Sequence, residues 1–211
     1  QNRAAAALTA IGASSVGRMA ELVDDKDSAT ALRAMGFLGN LGADAGGALP
    51  VLRPNLQGKD WPRAIAAASA LVSIAAAEEQ AVSDAMIKGL SDPRVNVVTD
   101  AAAILARIAQ ETEDDRTRQR IVKALAGNLS GRSAGGDELS GRATGGEFKR
   151  ALLQALGQIG PAAKSAVPAL EKLGADPVVS KDVLDAWQKI VPGKPMPKPK
   201  VDEELELELD L

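Results

Sequence analysis

The chain has 211 residues, 45% of them hydrophobic but only 2% aromatic, and a formal net charge of −3. It contains neither Cys nor His, which excludes disulfides, thiolate nucleophiles, imidazole metal ligands and the commonest general base. The whole net charge falls after Val191, where Lys194, Lys198 and Lys200 accompany Asp202, Glu203, Glu204, Glu206, Glu208 and Asp210, and the balanced body argues against nucleic-acid binding by general phosphate attraction.

The sequence opens at Gln1 rather than Met, which reads as a processed or trimmed start and leaves cytoplasmic and exported compartments both open. An alanine run at 4–7 favours a first helix over 3–11, because Ala loses no side-chain entropy in a helix. That helix ends on the phrase Leu8-x-x-Ile11, followed by Gly12. Val16, Met19, Ala20 and Val23 follow i, i+3, i+4, i+7 and predict a second helix over 15–23, with Ser14 and Ser15 as N-cap candidates. A third, over 28–40, carries the phrase again as Leu38-x-x-Leu41-Gly42. Helices over 45–56 and 61–76 follow, the latter bearing Leu71-x-x-Ile74. Next come 79–90 and 94–110, with Leu105-x-x-Ile108 in the second. The stripe Ile121, Leu125, Leu129 predicts a helix over 114–128. Phe148, Leu152 and the phrase Leu156-x-x-Ile159-Gly160 predict another over 147–159. Helices over 162–173 and 178–190 complete the map, and Trp187-x-x-Ile190 is the sixth copy of the phrase. Pro62 and Pro93 are expected in first turns, where the missing N–H is tolerated. No apolar run approaches the roughly 20 residues of a membrane-spanning helix.

Measured at its second apolar residue, the phrase recurs at steps of 30, 33, 34, 51 and 31 residues. A period of that size marks stacked helix pairs, none of which buries its apolar face alone. The expected fold is therefore an all-α superhelix, a solenoid of about five helix pairs over residues 1–191. The long step contains one repeat plus a Gly-rich insertion loop at 129–146. Residues 192–211 form a Pro/Lys linker and an acidic tail.

The segments Leu41-Gly-Ala-Asp-Ala-Gly-Gly-Ala-Leu-Pro-Val-Leu52 and Ile159-Gly-Pro-Ala-Ala-Lys-Ser-Ala-Val-Pro-Ala-Leu170 resemble the HEAT-repeat superfamily, in particular the short bacterial repeats also found in phycobiliprotein lyases. The resemblance covers roughly residues 3–191. It implies that Pro50 and Pro168 lie inside first helices and kink them. It also implies Asp in the turn within each pair and Arg early in the second helix. Asp60 with Arg63 and Asp92 with Arg94 match, Asp27 with Arg33 is offset, and the implied role is structural. For function it implies a non-catalytic protein–protein interaction or scaffold module with a concave surface, no cofactor, and a protein partner it does not identify. Two alternatives accompany it. One is a bilin lyase or isomerase acting on a protein-bound chromophore, whose acid–base work would fall on carboxylates and Arg in the absence of His, Cys and Tyr. The other is a nucleic-acid-binding repeat protein, which a salt-dependent shift assay would expose.

The repeat positions Leu8, Ile11, Leu38, Leu41, Leu71, Ile74, Leu105, Ile108, Leu156, Ile159, Trp187 and Ile190 are expected to build the core. Candidate partner-binding residues are fewer. Trp61 opens a helix beside a turn, whereas Trp187 falls on an apolar stripe. Arg132 and Arg142 lie in near-duplicate Gly-rich stretches, which lack the Gly-Lys-Ser/Thr ending of a phosphate-binding loop and read as surface loop. Glu111, Glu113, Asp114 and Asp115 precede Arg116, Arg118 and Arg120 in the pattern of a helix start with its ion pairs, not of a metal loop. Leu205, Leu207, Leu209 and Leu211 alternate with acids. In an extended strand all four leucines share one face, suited to docking on a partner.

Overall fold

The computed structural model describes residues 12, 14–57, 60–131 and 145–197. Helices α1 (14–22), α2 (Ser28–Leu41), α3 (Leu49–Leu52), α4 (Trp61–Ile74), α5 (Glu79–Gly89), α6 (Val95–Glu111), α7 (Asp115–Gly131), α8 (Gly145–Ile159), α9 (Val167–Leu173) and α10 (Ser180–Ile190) follow one another, and the described residues contain no strand. Helices α2, α4, α6, α8 and α10 stack side by side in one row. The other row consists of the segment 42–57 that contains α3, then α5, α7, and the segment 160–173 that ends in α9. This is an all-α solenoid of paired helices.

The phrase residues supply the seam between the rows. Leu38, Leu71, Leu105 and Leu156 are wholly buried, as are Ile108 and Ile190, while Leu41 is half-buried against the same core. Ile74, Ile159 and Trp187 are buried as well, and the Trp187 indole N–H donates to the Lys194 carbonyl at 2.8 Å. Leu8 and Ile11 lie outside the described residues. So does the whole of the first predicted helix, 3–11.

Small residues let the second-helix row close up. A Cβ added to Gly39 would lie 3.1 Å from the Ala70 Cα, and one added to Gly157 would lie 3.4 Å from the Ala186 Cα. In each case the residue following the phrase leucine of one repeat meets the residue preceding it in the next. Ala106 and Ala155 occupy the equivalent register between α6 and α8. Between α4 and α6 the register holds Val72 and Ile104 instead, and these two helices pack less closely than α2 with α4 or α6 with α8.

Helix ends follow local chemistry. Asp27 accepts from the Thr30 backbone N–H at 3.0 Å to cap α2, and Asp60 accepts from the Arg63 backbone N–H at 3.4 Å to cap α4. Gly42 and Gly160 end α2 and α8 at φ of 58° and 67°, the region that favours glycine. Where the phrase lacks its glycine, α4 stops on an extended Ala75, and α6 runs on to Glu111.

Several expectations need correction. Gly12 is itself helical, and Ser14 and Ser15 lie within α1 rather than capping it. The helices expected over 45–56 and 162–173 are not single kinked helices. Gly42–Ala48 and Gly160–Ala166 are 3-10 helices, and Pro50 and Pro168 sit in the first turns of the short α3 and α9. Proline is tolerated there because the first N–H groups have no intrahelical partner, so the segment is rebuilt around it. Pro93 lies just ahead of α6, whose N-cap is Arg94, while Pro62 is in the first turn of α4 as expected. The Gly-rich insertion is shorter than 129–146, because buried Leu129 extends α7 to Gly131 and α8 already begins at Gly145.

Candidate functional site

A surface grows out of the second-helix row by the same register that builds the core. Two residues after each phrase leucine or Trp187 stand Asn40, Ser73, Arg107, Gln158 and Lys189; two before it stand Gly36, Ser69, Ala103, Gln154 and Asp185. At 100° per residue both sets point away from the buried side of their helices, and all are exposed except half-buried Arg107 and Ser69. The result is a ladder of mostly small or uncharged polar groups crossing five helices.

Side chains tie its rungs together. The Arg107 guanidinium donates from α6 to the Ser69 carbonyl at 3.2 Å and the Ser73 hydroxyl at 3.4 Å on α4. Gln110 donates from α6 to the Gln158 carbonyl on α8. Between α6 and α8 the face carries a shallow pit of about 40 Å³, lined by Thr99, Ala103, Ala151, Gln154, Ala155 and Gln158. It is too small for a drug-sized ligand, which needs several hundred Å³.

The first-helix row is more open. Between α7 and the segment 160–173 lies a cleft of about 720 Å³, with Ala126, Ala162, Pro168 and Ala169 among its apolar lining and Lys123 and Lys172 as its charged residues.

The charged residues singled out in the sequence hold the scaffold together. Asp114 accepts from the Thr117 hydroxyl at 2.7 Å and from the Arg116 and Thr117 backbone N–H groups, which caps α7 and holds its carboxyl below the usual range. Arg118 donates to the Ala109 and Thr112 carbonyls at the end of α6 and pairs with Asp115. Arg120 reaches Asp84 and Ser83 on α5. Arg63 reaches back to the Val23 and Asp25 carbonyls, closing the end of α1. Such cations neutralise carbonyls that a helix end leaves unpaired. The Arg94 guanidinium beside Asp92 lowers that carboxyl, and the Lys149 ammonium, 2.7 Å from Asp176, lowers that one. Buried Glu78 accepts both Nε–H and Nη2–H of Arg53.

Trp61 is half-buried. A Cβ at Gly89 would come within 2.9 Å of its ring, and its indole hydrogen-bonds Asp92. The ring therefore bolts α4 to the end of α5. Arg132, Arg142, Leu205, Leu207, Leu209 and Leu211 lie outside the described residues. The polar ladder was missed by sequence reasoning, because its positions share a register but no residue type.

No family model and no curated protein matches the chain. Solved structures do. An engineered protein is 25% identical with a TM-score of 0.53, covering 83% of this chain and 78% of that one. The complex of CpcE and CpcF of phycocyanin lyase from Nostoc sp. PCC7120 is 22% identical with a TM-score of 0.57, covering 82% of this chain, which spans only 64% of the matched one. A designed armadillo repeat protein is 21% identical with a TM-score of 0.51, covering 84% and 82%. The fold is accordingly that of the HEAT and armadillo-like helical repeats. Likeness at these identities carries the architecture alone.

Proposed function

We propose that the protein is a non-catalytic interaction module that binds an extended segment of a partner protein along the second-helix row. The carrying observation is the ladder at two positions either side of the phrase, which sets polar groups at one-helix intervals across α2, α4, α6, α8 and α10. The close approach at Gly39–Ala70 and Gly157–Ala186, against the open cleft of the other row, supports assigning the shorter arc to the second-helix row. That row is then the concave side. Small side chains there leave room for a backbone to approach, and amide and hydroxyl groups suit its N–H and C=O groups. The near-neutral face favours a peptide over a polyanion.

Selection of displayed random peptides on the intact chain, compared with Ala103→Glu and Gln154→Glu, tests the reading. Both sites are exposed, so the variants are expected to melt like the parent while losing the enriched peptides. Equal enrichment on parent and variants would move the binding function off this face.

A further inference from the structure

The cleft between α7 and segment 160–173 is independent of the face just discussed, and the course of the chain leads to it. After α10, Gly193 turns the backbone at φ 79°, and Lys194 offers its carbonyl to the Trp187 indole. The Met196 thioether then packs on Gly174, the residue after α9 and only two beyond Lys172 at the cleft. The described chain, which runs to residue 197, therefore ends close to Lys172 of this cleft, with residues 198–211 still to follow in the sequence. Fourteen residues reach roughly 45 Å when extended. The α7 wall from Gln119 to Gly127 is about 12 Å long.

Chemistry matches as well as reach. Among the described residues the lining includes two lysines and no carboxylate, over small apolar side chains. Residues 201–211 carry six acids and no base, and their leucines alternate with carboxylates. An extended strand of this pattern is apolar on one face and anionic on the other. We propose that the chain's own segment 201–211 occupies the α7–α9 cleft as an extended peptide, leucines toward Ala126, Ala162, Pro168 and Ala169, carboxylates toward Lys123 and Lys172.

The native chain has no Cys, so a nitroxide on Asp210→Cys in the otherwise intact protein labels a single site. Amide signals of Lys123, Gly127, Ser165 and Ala169 are expected to lose most of their intensity. The loss should diminish at 1 M salt, where screening acts over about 3 Å. It should also diminish in Lys123→Glu/Lys172→Glu, both exposed positions, with the thermal melt expected to stay close to the parent's. Unchanged cleft signals would overturn the proposal. So would broadening centred on Val178 and Leu184. So would broadening that appears only when spin-labelled and isotope-labelled copies are mixed, because the tail would then dock between molecules.

Discussion

Leu105 and Leu184 have the same side chain and opposite surroundings. Leu105 is wholly buried in the seam, whereas Leu184 is 47% exposed on α10. Leu105→Ala is expected to cost about 2–5 kcal/mol, since transfer and cavity terms add. Leu184→Ala should stay within about 0.5 kcal/mol. Urea unfolding of the two variants measures the difference, and equal midpoints would contradict the register. At the same scale, hydrogen bonds from Thr30 hold Asp27 below the ordinary carboxylate range. Arg94 lowers Asp92, Thr117 lowers Asp114 and Lys149 lowers Asp176 in the same way. Each favours the fold only while ionised. Its contribution is complete above the unfolded value near 3.8 and is lost as pH falls through the lower folded value. Without His or Cys, no side chain ordinarily titrates between about pH 5 and pH 9. The melting temperature should therefore be nearly level across that range and fall below about pH 4. A step near pH 6.5 would contradict this account.

At the scale of elements, the second helices were legible because burial forces the same leucine to return each repeat. The broken segments at 42–57 and 160–173 were not. A 3-10 turn differs from an α turn by one hydrogen-bond step, which barely alters which residues are apolar. The ladder was illegible for another reason. Asn40, Ser73, Arg107, Gln158 and Lys189 share a position but no chemistry, and an exposed face does not constrain residue type. Glycine at the helix end was readable where it follows the phrase directly. Gly42 has φ 58° and ψ −136°, a conformation that a Cβ strains. Gly42→Ala should cost about 1–3 kcal/mol, visible as a lowered melting temperature. Gly46→Ala, with nothing near its added Cβ, serves as the control.

For the whole molecule, small residues at the joints of α2 with α4, α6 with α8 and α8 with α10 set how near those layers lie. Gly39→Val would drive a branched side chain into the Ala70 backbone and should destabilise by about 1–3 kcal/mol. Small-angle scattering on the folded variant should also report a more extended particle, and an unchanged profile would mean that local side-chain movement absorbs the insertion. The tight joints flank a looser one between α4 and α6, where Val72 and Ile104 hold the layers apart. On the proposed peptide-binding face, a guest lying along its full length would then meet a wider step as it crosses from Ser73 to Arg107.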